Sequence, residues 1–518
     1  MKPLTDFAPR EYALNEETVA SLFGHEAAER EDVQRLKQYF LRRSDYEAVV
    51  SNLPLKIVIG FKGVGKSAVL KVAYLEDLEN QVPAIWIRPD DISEIYSDIT
   101  SEQNQLRLIT LWKKGLARLI ASRLVEDVGF AGSEDATKAI TWAEEVGYRS
   151  KDLISQLASR FAPLTSKYIS QDIPSVGSKT GEHHVLQRLL EKKKVKLYID
   201  DLDRGWEATE RDRKRLAALI NSLGDMTSDI RGLQVRISVR ADVYALVRGT
   251  AEFTDKFETS EVWCSWSNHE ILVALVKRIY SHFGIEVSED ELREFRQSQM
   301  ARFLSPLFAQ RFEGTRCWSN APMYRVIMSL IRRRPRDLVK LCSLSEKRAY
   351  NDGYKTICGP HIFSILEDYS SGRMQDIIIE FKSELPNITD LVYNLGPTVK
   401  ELKEKKHDRY LYNTNDLYEK IKNVMSNVRV EFAGNANPDF HDVAHFLFKI
   451  GFITATKILP DGFIDRLYYE DKRQLLQRSV GDMGYSWEIH PAYRGALFKR
   501  TQRDDNWENS IQPDGEKD

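Results

Sequence analysis

Apolar positions along this chain follow two rhythms. Short, mostly apolar runs rich in β-branched residues recur at residues 55–59 (LKIVI), 84–88 (AIWIR), 195–199 (VKLYI), 233–240 (LQVRISVR) and 260–266 (SEVWCSW). Runs of this kind predict strands buried on both faces. Between them lie stretches with helical spacing, the longest being LRLITLWKKGLARLIASRLVEDV. Residues 1–50 also read as amphipathic helix, in LFGHEAAERED and VQRLKQYFLRR. Strands alternating with helices predict an α/β fold built on a parallel sheet. After residue 266 the pattern becomes helical. YRVIMSLIRRRPRDLVKLCSLSEKRAY predicts one helix, a break before Pro335, then a second, because the residue before a proline is pushed out of the helical region. Further on, NTNDLYEKIKNVM predicts a helix and PDFHDVAHFLFKIGFITA a helix running into a strand. DRLYYED and YSWEIHPAYRGAL are expected to form a hairpin followed by a closing helix.

The first strand stops at a glycine-rich turn, GFKGVGKS, and a helical pattern follows at once. Residues 60–67 match G-x-x-x-x-G-K-[ST], the phosphate-binding loop. Glycines at 60, 63 and 65 let the backbone curl so that successive N–H groups face one anion. Lys66 would reach the β- and γ-phosphates of a nucleotide, and the Ser67 hydroxyl would hold Mg²⁺. The residues expected to bind nucleotide are Gly60, Lys62, Gly63, Val64, Gly65, Lys66, Ser67 and Ala68.

Such a site needs a carboxylate at a nearby strand end to hold Mg²⁺, and an acceptor for the attacking water. The third strand supplies both in LYIDDLDRG: Asp200 fits the metal role and Asp201 the second, with Asp203 following. The fourth strand carries Ser238 and Arg240 toward its carboxyl end. If that strand lies between the other two, its end faces the γ-phosphate, since ligands sit at the carboxyl ends of strands in open α/β sheets. Arg240 is then expected to sense the γ-phosphate or to pair with the acidic cluster.

Composition limits the alternatives. With 518 residues the chain is long enough for two or three domains, and a formal net charge of −2 excludes a globally basic nucleic-acid binder, though not a local basic surface. Four widely spaced cysteines, Cys264, Cys317, Cys342 and Cys358, fit reduced thiols and argue against a zinc site. The opening residues MKPLTDFAPREY have no apolar signal region, and no run approaches the ~18 apolar residues of a membrane span. A cytoplasmic protein without membrane partners is expected. His490, near an apolar face with no second His or Cys close by in sequence, is expected to be a packed core histidine.

The order GFKGVGKS, LYIDDLDR, RISVR, WSNHEILVALVKRI and RRRPRDLVKLC resembles that of the AAA+ and STAND ATPases, and within them the origin-recognition-like and KAP-like prokaryotic ATPases. The likeness covers roughly residues 20–350 at motif level. It implies a P-loop NTPase core of ASCE/AAA+-like type with ATP and Mg²⁺ as cofactors, a helical lid and a C-terminal winged-helix-like domain. The expected division is a lead-in at 1–50, a core at 51–266 with a helical insertion at about 89–194, a lid at 267–385, a winged-helix-like domain at 386–505 and a disordered tail at 506–518. In these families an arginine at a G-x-x-R-type helix start contacts the nucleotide from the lid, and Arg336 is the match. The pattern's glycine is Arg333 here, and Asp201 stands where many members have Glu, which implies slow hydrolysis. The implied function is an ATP-driven switch that assembles with its own copies, acting in bacterial anti-phage defence with a separately encoded effector. The alternatives are a DNA-binding ATPase of origin-recognition type and a nucleotide-binding scaffold without turnover. Arg204 and the run Arg332, Arg333 and Arg334 are candidates for reaching a neighbouring copy. The run is expected first as a solvated face, then as a subunit contact, then as a DNA contact.

Overall fold

A computed structural model describes residues 14–93, 95, 104–126, 190, 194–249, 255–305, 307–313, 318–398, 401, 409–433, 437–459, 464–477 and 482–501. Most of the expected insertion at 89–194, with its polar stretch at 165–184, and the tail at 506–518 lie outside the described residues. Two compact units emerge. One is drawn from Ser44–Ile59 and Val69–Trp263, the other from Met1–Arg43, Gly60–Ala68 and Cys264–Asp518.

The first unit holds the parallel sheet. Its strands are β1 (Leu55–Gly60), β2 (Ala84–Ile87), β3 (Val195–Ile199), β4 (Leu233–Arg240) and β5 (Glu261–Trp263), in the order β2-β3-β4-β1-β5. β1 pairs in parallel with β5, β2 with β3, and β3 with β4. All five strands are those expected from the apolar runs, and β4 lies between β1 and β3. Every residue of β1 is buried, and each buried aliphatic side chain there contributes about 1.5–3 kcal/mol. β4 is also buried along nearly its whole length, which includes Arg236. The Arg236 guanidinium is satisfied by backbone carbonyls, donating to Leu53 O at 2.9 Å and to those of Val49 and Ser51. Helix Glu210–Asp229 opens with a reciprocal cap between Thr209 and Asp212 and packs on helix Gln105–Glu126, where the Trp112 indole donates to Arg215 O at 3.1 Å. The parallel sheet, with the glycine-rich loop after β1 and the acidic residues after β3, is that of a P-loop-type α/β domain.

The second unit is helical around Asn268–His282, Met323–Leu330, Pro335–Asn351 and Gly359–Phe381. The break expected before Pro335 is present: Met323–Leu330 ends, and Pro335 begins the next helix at its first position. Further along lies a four-stranded antiparallel sheet, β6 (Leu411–Tyr412), β7 (Ile453–Ile458), β8 (Ile464–Leu467) and β9 (Ser486–Ile489), in the order β6-β9-β7-β8. The expected hairpin of β8 with β9 is not formed. β7 stands between them, with Ala455 opposite Leu467 on one side and Trp487 on the other. Residues 468–485 separate β8 from β9, too long for the two- to five-residue loop of a hairpin, whereas 459–463 join β7 to β8. The boundary expected at residue 385 falls inside this unit, where helix Gly359–Phe381 packs along helix Pro491–Thr501. Among the described residues, no helix is long and apolar enough to cross a membrane.

Candidate nucleotide-binding site

β1 delivers the chain into the loop, and helix Lys66–Glu79 leaves it. Gly63 and Gly65 have φ of 84° and 98°, in the region where a side chain is strained, so both turns require glycine. Gly60 is required for a different reason. A Cβ there would lie 2.7 Å from Val64 Cγ2 and 3.2 Å from Cys264 Cβ, so the constraint is close packing and not a left-handed turn. Val64 is buried, and its carbonyl accepts from the Trp266 indole at 2.7 Å. The Lys66 ammonium folds over the loop, donating to Gly60 O at 2.9 Å and Phe61 O at 3.3 Å. Lys66, Ser67 and Ala68 are half-buried at the helix start. That end of the helix carries the positive pole of the backbone dipoles.

Arg336 lies directly against this loop. Its N–H donates to Gly63 O at 3.4 Å, and a Cβ on Gly63 would come within 2.9 Å of Arg336 Cβ. Gly63 is thus doubly constrained, by its turn and by the close approach of Arg336. Lys62, exposed at its side chain, is bound through its backbone: its N–H donates to Glu380 Oε1 at 2.9 Å. Phe61 meets Phe381 and Tyr469, each with ring centroids 6.3 Å away. Beside Tyr469, burial pushes the Glu470 carboxyl above its usual range, and the Arg334 guanidinium opposes that.

At the carboxyl end of β3, Asp200 is buried and accepts a short hydrogen bond from the Ser238 hydroxyl of β4. Asp201 is exposed and has a φ of 63°. Aspartate tolerates the left-handed region better than most residues, yet the conformation costs about 1 kcal/mol, and such strain collects at functional sites. Arg240 bridges two acids, donating to Asp203 Oδ2 at 3.1 Å and Asp242 Oδ2 at 2.6 Å. It pairs with the acidic cluster, one of its two expected roles.

The arginine run departs from expectation. Arg332 and Arg334 are not a solvated face: they are 5% and 3% exposed. Arg332 donates twice to Asp337, at 2.6 and 2.8 Å, and to the Tyr493 hydroxyl at 2.9 Å, while Arg373 donates to Asp337 at 2.7 Å. Burial alone would raise the Asp337 carboxyl, but these guanidiniums outweigh it and hold it well below the ordinary carboxylate range. Arg333 is half-buried and donates to Asp471 at 2.8 Å. Arg332 and Arg334 are therefore also removed as contacts to another copy or to DNA, because their charge is spent inside the unit. Arg204 stays exposed, 4.0 Å from Asp90. His490 is buried as expected, but its neighbours are polar: Nε2 lies 3.0 Å from the Tyr468 hydroxyl, and Nδ1 accepts from Ala492 N–H at 3.1 Å. Burial, then the Arg466, Arg332 and Arg494 guanidiniums, keeps it neutral.

The loop, turned by two left-handed glycines with Lys66 folded over it, fits the phosphates of a nucleotide, and Ser67 and Asp200 each carry an oxygen of the kind a hard cation such as Mg²⁺ takes. No protein-family model matches the chain. The "Putative transposon gamma-delta 80.3 kDa protein" of Escherichia coli (strain K12) is 19% identical over 394 residues, which is 72% of this chain and 54% of the relative. The chain thus spans about half the length of the curated relative it matches. Among solved structures, it is similar to the Aeropyrum pernix ORC2 protein in its ADPNP–ADP complexes (10% identity, 90% of this chain and 95% of that one, TM-score 0.39). It is similar as well to the Thermotoga maritima RuvB Holliday junction branch migration motor (11% identity, 87% and 98%, TM-score 0.29). The Aeropyrum pernix ORC1 protein in complex with DNA gives 11% identity, 88% and 91%, and a TM-score of 0.29. The fold class rests on the sheet order and the loop, not on these overlaps.

Proposed function

We propose that the chain is an ATP-binding and ATP-hydrolysing switch of the AAA+ kind. The observation that supports it best is the loop itself, with Gly63 and Gly65 in left-handed turns and Lys66 at its mouth, and with lid residue Arg336 hydrogen-bonded to its backbone. In this reading Gly60, Lys62, Gly63, Val64, Gly65, Lys66, Ser67 and Ala68 receive the phosphates. Ser67 and Asp200 would supply oxygen ligands for Mg²⁺, which would contribute charge neutralisation at the phosphates. Asp201 accepts a proton from the attacking water or orients it. Arg240 holds the acidic cluster in place, and Arg336 transmits nucleotide occupancy to the lid. Turnover is slow, and ATP-bound copies assemble, with exposed Arg204 a candidate to face a neighbour. The biological setting, carried by family resemblance, is bacterial anti-phage defence with a separately encoded effector.

Calorimetric titration with Mg-ATP tests the binding claim. Lys66→Ala removes a charge-assisted contact and should weaken ATP binding roughly 10- to 100-fold or more. Equal affinity of the variant and the wild type would overturn the reading. Duplex DNA binding that falls steeply with salt, without any ATP-dependent assembly, would favour the origin-recognition alternative.

A further inference from the structure

Lys62 occupies a variable position of the loop motif, so the motif asks nothing of it. The structure nevertheless engages both of its backbone polar groups with buried, charged side chains. The N–H donates to Glu380 Oε1 at 2.9 Å, and the carbonyl accepts from Arg334 Nη1 at 3.3 Å. Arg334 and Glu380 are themselves paired, Nη1 to Oε2 at 3.5 Å, and both are buried. They come from separate segments. Arg334 immediately precedes helix Pro335–Asn351, and Glu380 sits in the last turn of helix Gly359–Phe381. The same two places also grip the preceding residue: the Arg334 guanidinium lies 5.2 Å over the Phe61 ring, which Phe381 meets from beside Glu380.

A buried ion pair is weak evidence of stabilisation, since apolar residues of similar volume often do as well. Its geometry here points elsewhere. The pair closes a ring through one peptide unit on each side of Lys62, directly before the left-handed turn at Gly63. From these contacts we infer that Arg334 and Glu380 are positioning residues for the phosphate loop. They hold the Lys62 backbone so that the N–H groups after Gly63 are aimed before nucleotide arrives, and they tie that aim to the placement of the two lid helices. This deepens the ATP-switch reading and rests on it. A preorganised anion site gains affinity because no reorganisation is needed on binding.

The test compares two replacements that lose the same charge. Glu380→Met keeps the side chain's length and removes the acceptor, whereas Glu380→Gln retains an oxygen for the Lys62 N–H. Any damage from leaving Arg334 without its carboxylate is common to both. Ile377→Ala, which removes buried volume from the same helix, serves as a control for lost stability. Mg-ATP and ADP binding would be measured by calorimetry, alongside nucleotide-free melting. Glu380→Met should bind both nucleotides about tenfold more weakly than wild type, with Glu380→Gln within about threefold, and Ile377→Ala should melt lower at unchanged affinity. Glu380→Met binding as tightly as wild type, losing no more than Ile377→Ala, or losing no more than Glu380→Gln would overturn the inference alone. A wild-type protein that binds neither nucleotide would overturn the ATP reading and the inference with it.

Discussion

Glu346 is fully buried, and neither of its carboxylate oxygens has a hydrogen-bond partner among the described residues. Burial pushes its pKa up to about 8 from an ordinary 4.5. Between those two values the folded protein binds a proton that the unfolded chain has released. The pH-linked cost is therefore absent below about pH 4.5, and stability falls as pH rises toward 8. Glu346→Gln should match wild type near pH 4 in urea denaturation and exceed it near pH 8 by roughly 2–4 kcal/mol. Equal stability at the higher pH would mean that the carboxylate finds water or a partner. None of this was legible in LSEKRAY, where a glutamate between serine and lysine reads as a solvated helix position. Asp200 and Asp201 follow β3, the third of the apolar runs that the sequence reads as strands.

At the scale of elements, the join between helices Met323–Leu330 and Pro335–Asn351 shows how far sequence reaches. Pro335 announces the break, since it cannot donate an N–H within a helix. The resemblance read from the sequence places glycine at the position held here by Arg333, and Arg333 has a φ of 49°, a conformation that favours glycine. An L-residue there costs about 1 kcal/mol or more. Arg333 offsets this by donating to Asp471 and to Arg466 O and by lying 4.6 Å over the Tyr468 ring. Arg333→Ala loses those contacts and keeps the strain, whereas Arg333→Gly loses the contacts but relieves it. The glycine variant should therefore be more stable than the alanine variant by about 1 kcal/mol in denaturant melts. The reverse order would show that the turn is not strained. What sequence could not show is where the arginines point. The partner of Arg334 is Glu380, and Arg333 finds its partner at Asp471, in a different part of the chain. A basic run looks solvated until the fold closes around it. The β8–β9 pairing failed for a related reason: both segments read as strands, but only the fold inserts β7 between them.

For the molecule as a whole, the strands that carry the motifs all fall in one parallel sheet. The loop follows β1, the acids follow β3, and β4, carrying Ser238 and Arg240, lies between them. Those features lie in contiguous segments whose chemistry is local, so one sequence suffices to find them. The contacts of Arg334, Arg336 and Glu380 with the loop join residues far apart in sequence and emerged only with the fold. Hydrolysis of ATP with Asp201 as the acceptor for water is what we propose for this protein. It is tested most directly by measuring phosphate release from Mg-ATP for wild type and Asp201→Asn, with ATP binding determined on the same samples. Wild type should release phosphate slowly, and the variant should bind ATP comparably but release phosphate about 100-fold or more slowly. Release by Asp201→Asn at the wild-type rate, or none from a wild-type protein that binds ATP, would contradict it.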